Sequence, residues 1–255
     1  YAEDVIKNSP YSLLKTEDYV AAWSGRYSSE SVFDLEISDL DAGDREMFGY
    51  VVDPKGYAAV SNTKEFEDLI NENPDDIRRN LLTAASVEGR TYMNKYPGIN
   101  GKTAVNNIRV IRLSDIYLIA AEADIYVNGG SNALKYINKI RTRAGIRTYT
   151  FGNSDAQNIH VDDNQETVRK IIRAERRVEL CGEGVRYDDL RRWKEAEKKL
   201  NGDMYGMNYS GKDAEAFYVR TPYQKRVYNP AYYWFPIHQS EMDKNENLRQ
   251  LPFWR

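Results

Sequence analysis

The chain is poor in the residues that most chemistry needs. Of its 255 residues, one is cysteine and two are histidine. The lone Cys181 allows no internal disulfide and leaves the redox compartment open; its place at a predicted helix end suits a small buried side chain. His160 and His238 stand in different loop contexts, and no His/Cys spacing suits zinc. The nucleophile elbow G-x-S-x-G, the phosphate loop and the dinucleotide glycine pattern are all missing. No apolar run approaches the roughly 18 residues of a membrane-spanning helix, and mean hydropathy is −0.71. Charged residues make up 29% of the chain, yet the formal net charge is only −3. Without a concentrated basic excess, nucleic acid is a poor candidate partner. No cofactor and no metal is expected.

What the chain does have is tyrosine and opposed charge. Twenty Tyr accompany 4 Trp and 7 Phe, and such amphipathic rings serve cores and ligand platforms alike. Charge is densest from Glu166 to Trp193, ETVRKIIRAERRVELCGEGVRYDDLRRW. Val168, Ile171, Ile172, Val178 and Leu180 recur at near-helical spacing and predict a helix with one apolar face. Gly182 and Gly184 predict its end, because glycine accepts the left-handed backbone that closes a helix. A second helix is predicted from Arg186, with Tyr187, Leu190, Trp193 and Ala196 as its apolar stripe. For most of the charges between Arg173 and Arg192 a solvated face is the default reading. The sharper alternative is a network of Arg–carboxylate forks between helices, a role that suits the planar guanidinium. An active site is least favoured, because no nucleophile or metal-ligand set accompanies the charges.

The rest of the chain reads mainly as helix and loop. Residues 1–24 predict helix, turn, helix, with Thr16 as a cap. Phe33, Leu35 and Ile37 alternate with polar residues, as in a half-buried strand. Residues 39–62 read as loop. Asp39, Asp41 and Asp44 invite a calcium reading, but the EF-hand pattern fails because glycine falls at Gly43 and the twelfth position is Tyr50. Helices are predicted from Thr63 to Asn71 and from Asp75 through Arg78. Residues 88–105 read as loop and 107–112 as a short strand. Leu113 to Ala144 predicts a helical hairpin, broken at Asn128-Gly129-Gly130, recapped by Ser131 and stopped by Gly145. Two antiparallel helices in about 34 residues have the dimensions of a tetratricopeptide unit. A lone unit cannot stack into a stable solenoid, and the pair at 166–199 is a candidate neighbour.

Several segments carry a resemblance, among them Trp23 to Phe33, Asp76 to Arg78 and Lys95 to Gly98, and three are the longest. RAERRVELCGEGVRYDDLRRW is similar to the motif R-x-E-R-x-x-E-L-x-x-E-G-x-R-x-x-D-L-x-R-W of SusD/RagB-type outer-membrane nutrient-binding lipoproteins. Its matching positions include Arg173, Glu175, Arg176, Glu179, Glu183, Arg186, Asp189 and Trp193. RLSDIYLIAAEA with IRTRAG resembles the family's helical hairpin. The tail, through Pro236, Ile237, Glu241, Asn245, Leu248 and Gln250, resembles its closing segment, though it ends Leu251-Pro252-Phe253-Trp254 where the family often has Asn-Pro-Gly-Tyr.

The resemblance implies a mainly α, SusD-like fold, with tetratricopeptide-like helix pairs, long ordered loops and a few short strands. It implies that residues 1–255 form the carboxy-terminal region of a longer protein, whose amino-terminal helical-repeat half is not found here. It further implies a non-catalytic oligosaccharide-binding lipoprotein on the extracellular face of the outer membrane. The lipid anchor would lie outside this chain, and a SusC-like TonB-dependent transporter would be the partner. Rings beside polar groups are what a saccharide needs. On loop placement, the expected ligand contacts are Trp23, Arg45, Met47, Tyr50, Tyr57, Tyr92 and Tyr96. A helical-repeat scaffold that binds only protein and a glycoside hydrolase are the alternatives. No carboxylate pair stands out for the latter.

Overall fold

Our computed structural model describes residues 1–37, 62–83, 85–87, 90–97, 106–207, 214–217 and 219–254. Helix α1 spans Ala2–Asn8. A single helical turn follows at Thr16–Tyr19, where Thr16 is already helical and supplies no cap. Strand β1 (Ser31–Leu35) comes next. Helix α2 (Lys64–Asn71) begins where Thr63 accepts a hydrogen bond from the Phe66 amide. The turn expected at Asp75–Arg78 forms later, at Arg79–Leu82, because Asp76 and Arg78 turn into the interior. A hairpin of β2 (Ala85–Val87) and β3 (Arg90–Tyr92) leads on to β4 (Ile108–Arg112).

The predicted hairpin is present as α3 (Leu113–Asn128) and α4 (Ala133–Arg143). Gly129 ends α3 at φ 72°, in the left-handed region. Ser131 does not recap the chain; its hydroxyl donates to the Asn128 carbonyl. Asp124 reaches across the turn instead and accepts from the Asn132 amide at 2.8 Å. One buried carboxylate therefore fixes both ends of the connection. Helix α5 (Gln165–Glu179) is capped by Asn164, which accepts from the Thr167 amide.

Helix α5 supplies both main cores. Val168 and Ile172 pack with Ala121, Ile125 and Ile137 of the hairpin. Val178 packs with Tyr19, Trp23, Phe66 and Ile70. Burial of such side chains stabilises by about 1.5–3 kcal/mol each.

Past the left-handed Gly182 and Gly184, the second predicted helix is shorter than expected. Helix α6 covers only Arg186–Arg192, and Lys194 takes φ 58° before a further turn at Ala196–Leu200. The expected stripe is split, with Leu190 and Ala196 buried in a small cluster with Tyr228. Strands β5 (Thr148–Thr150) and β6 (Asn158–His160) pair in parallel, and β7 (Gly202–Met207) pairs antiparallel with β8 (Arg220–Arg226).

Strand β1 pairs antiparallel with β4, with Leu35 opposite Ile108. It lies slightly earlier than the alternation suggests. The ribbon also leaves Phe33, Leu35, Ile108 and Val110 exposed. Among the described residues no helix is long and apolar enough to cross a membrane.

Candidate functional site

The charge-rich motif folds inward. Glu175 and Glu179 lie one turn apart on α5, and Glu183 lies between the two glycines. Arg112 forks onto Glu183, with Nε to Oε2 at 2.6 Å and Nη2 to Oε1 at 2.7 Å. Its Nη1 also meets Glu179 at 2.6 Å and Glu30 at 3.2 Å. Arg143 bridges Glu30 at 2.8 Å and Glu179 at 2.5 Å. Arg78 joins Asp76, Glu175 and Glu179, and Arg141 completes Glu175 at 3.1 Å. Lys95 meets Glu183 at 2.5 Å and donates to the carbonyls of Glu179 and Cys181. Five cations thus face Glu30, Asp76, Glu175, Glu179 and Glu183, so the cluster is neutral as a whole.

No side chain in this network is more than 4% exposed. Burial opposes the charge on Glu179, but Arg143, Arg112 and Arg78 outweigh it and hold the carboxyl well below the usual range. Glu183 is lowered in the same way, by Arg112 and Lys95 against its burial. The solvated-face expectation is therefore corrected for these residues: the forks are buried and paired. The reason is range. Glu30 and Arg143 lie 113 positions apart, a partnership that local spacing does not reveal. Every charged side chain in the cluster has an oppositely charged partner, although Arg143 Nε is buried without a hydrogen bond. The role of the cluster is to fix elements that are distant in sequence.

What it fixes are residues that flank 38–61 and 98–105 in sequence. Trp23 is 2% exposed. Lys95 and Arg109 lie over its ring at 4.5 and 4.1 Å from the centroid. Tyr96 meets it edge-on at 5.8 Å and donates its hydroxyl to the Gly182 carbonyl. Asn106 donates to the Trp23 carbonyl at 2.8 Å. Asn107 donates to the Arg26 carbonyl and accepts from the Ile37 amide. Asn62 donates to Glu67 and to the Leu82 carbonyl. Residues 37 and 62 flank 38–61, and residues 96 and 106 lie on either side of 98–105 in sequence.

Of the expected ligand contacts, Arg45, Met47, Tyr50 and Tyr57 lie outside the described residues, as do Asp39, Asp41 and Asp44. Trp23, Tyr92 and Tyr96 are 2%, 6% and 9% exposed. These three rings are buried packing groups rather than an open platform, and Trp23 and Tyr96 pack edge-on against each other. The sequence could not separate the two roles, because a ring beside a cation serves either.

The structure also brings together aromatics that the sequence reading left in the tail. Trp234, Phe235 and Phe253 are 68%, 73% and 66% exposed. Trp234 and Phe253 line a cleft of about 850 Å³ beside α6. The signal was the run AYYWFP followed by PFW, read only as a closing segment.

Comparison with known proteins places the fold. Residues 65–254 match the SusD family, and the chain belongs to it. A curated relative, SusD-like protein P25 of Formosa agariphila, is 27% identical over 74% of this chain and 44% of its own length. A crystal structure described as a putative sugar binding protein from Bacteroides vulgatus is 30% identical. It covers 98% of this chain and 54% of its own, at TM-score 0.70. A SusD superfamily protein from Bacteroides thetaiotaomicron is 28% identical at TM-score 0.64, covering 98% and 55%. The chain therefore spans about half the length of the relatives it matches.

Proposed function

We propose that the protein is a non-catalytic oligosaccharide-binding lipoprotein of the outer membrane. It captures glycan at the extracellular face and passes it to a SusC-like TonB-dependent transporter. A lipid anchor holds it at the membrane. Membership of the SusD family, with a solved relative described as sugar-binding along nearly the whole chain, carries this reading.

The geometry supports it. Binding proteins gain affinity when contact residues are held ready rather than ordered on arrival. The buried network and the Asn62, Asn106 and Asn107 amides do this for the residues that flank 38–61 and 98–105. Arg45, Met47, Tyr50 and Tyr57 contact the sugar. Trp23, Tyr92 and Tyr96 act from within the core, where Trp23 and Tyr96 support that surface. Rings stack on the CH faces of the sugar, and polar groups meet its hydroxyls.

The test is Tyr50→Ala with Tyr57→Ala in the intact protein. Glycan affinity should fall about tenfold or more, equivalent to at least about 1.4 kcal/mol. Unchanged affinity would remove these residues from the site.

The exposed apolar ribbon of β1 and β4 favours a second reading, a scaffold that binds only protein. It predicts a complex with the transporter that persists while every oligosaccharide fails to bind.

A further inference from the structure

The cleft beside α6 is lined by residues between Asp188 and Phe253, and its construction indicates a ligand class. One wall is aromatic, with Trp234, Tyr233 and Phe253, and the other is charged, with Arg191, Lys194 and Glu197. Its volume of about 850 Å³ falls in the range of small-ligand sites, roughly 300–1,000 Å³.

Most of the charge there is already used. Arg191 pairs with Asp188 at 3.1 Å and donates to the Tyr233 carbonyl, while its guanidinium lies 5.4 Å from the Phe235 ring centre. Arg192 forks onto Glu122 at 2.6 and 2.7 Å and also meets Asp189. Trp193 Nε1 donates to the same Glu122 at 2.7 Å. That leaves Lys194 and Glu197, one cation and one anion, without a side-chain partner among the described residues. Lys194 takes its place through a left-handed backbone, φ 58°, which is uncommon for a residue with a β-carbon.

A cleft with balanced free charge does not select an anion. Exposed flat rings opposite hydrogen-bonding groups suit a ligand with apolar faces and a polar edge. The geometry points to a second saccharide subsite in this cleft, specific for a neutral oligosaccharide, with Trp234 and Phe253 stacking on sugar rings and Lys194 and Glu197 bonding hydroxyls. This deepens the oligosaccharide-binding reading and rests on it. A glycan chain spanning both sites would gain avidity from the second contact, since that step becomes intramolecular.

The experiment uses the intact protein and neutral hexaoses of α-glucan, β-glucan, xylan and mannan, with oligogalacturonate as the anionic comparison. Binding is followed by calorimetry, and exposure of Trp234 by its oxidation with N-bromosuccinimide. One neutral hexaose should slow Trp234 oxidation about fivefold or more, as expected for a ligand that buries most of its surface. Trp234→Ala with Phe253→Ala should remove one binding event and leave the Tyr50/Tyr57 site occupied.

Four results would overturn the inference. If the double variant binds unchanged while Tyr50→Ala/Tyr57→Ala abolishes binding, the cleft is not a subsite, and the oligosaccharide reading survives. If oligogalacturonate protects Trp234 better than any neutral sugar, the ligand class is wrong. If Trp234 resists oxidation without sugar, the cleft is a packing surface. If the unaltered protein binds no sugar, the oligosaccharide reading falls and takes this inference with it.

Discussion

Arg112 grips both carboxylate oxygens of Glu183, at 2.6 and 2.7 Å, with side chains 2% and 4% exposed. The fork joins the end of β4 to the glycine break after α5, across 71 positions of sequence. A buried pair of this kind adds little over a well-packed apolar pair, but losing one partner strands the other charge. Arg112→Met should therefore destabilise by about 3–5 kcal/mol, read as a lower urea midpoint. Glu166→Gln, which breaks an exposed pair with Lys170 on the same motif helix, should leave the midpoint in place. Equal midpoints for both variants would contradict a structural role for the network.

The same network sets the acid limit. Glu179 and Glu183 have carboxyls held below their ordinary value of 4.5, against their burial, by Arg143 and Arg112 and by Arg112 and Lys95 respectively. As pH falls below about 4.5 the unfolded chain takes up protons that the folded chain refuses, so stability declines. The loss should grow progressively down to the lowered folded values and be absent between pH 6 and 8 as far as these groups are concerned. In Glu179→Gln the part of the acid slope due to that residue should vanish. An identical slope in chemical denaturation across pH 3–6 would contradict the assignment.

Two glycines separate backbone strain from crowding. Gly184 has φ 82° and open space where a β-carbon would stand, whereas a β-carbon on Gly130, φ 94°, would lie 3.3 Å from Val168. Gly184→Ala should cost about 1–2 kcal/mol from the left-handed backbone alone. Gly130→Ala should cost more, because α5 must also yield. The reverse order of melting temperatures would contradict the packing of the α3–α4 turn on α5.

Much of this was legible in the sequence, for local reasons. The hairpin, the stop at Gly145 and the break at Gly182 and Gly184 follow from spacing and glycine, and all three glycines adopt positive φ. The break at Lys194 was hidden, because nothing about lysine signals a left-handed residue. The cap from Asp124 was hidden for another reason: the carboxylate acts from within the preceding helix, not from the usual cap position. The burial of the charged motif was open between two readings, because Glu30, Asp76, Lys95 and Arg112 come from other parts of the chain. Trp23 and Tyr96 were legible as important aromatics but not as core, since their partners are likewise distant.

Cys181 offers a check on this core. Burial pushes its thiol up to about 11, against a smaller opposing pull from Lys95. The thiolate is the reactive form, so iodoacetamide at pH 8 should alkylate Cys181 slowly in the native protein and rapidly in urea. Rapid native labelling would mean that the Lys95–Glu183 segment opens.

The most direct test of the account is tryptophan fluorescence of the intact protein, titrated with plant, host and microbial oligosaccharides while reducing ends are assayed. The account predicts a saturable change with one linkage class and no new reducing ends. New reducing ends that track protein concentration, or silence across the panel from folded protein, would contradict it.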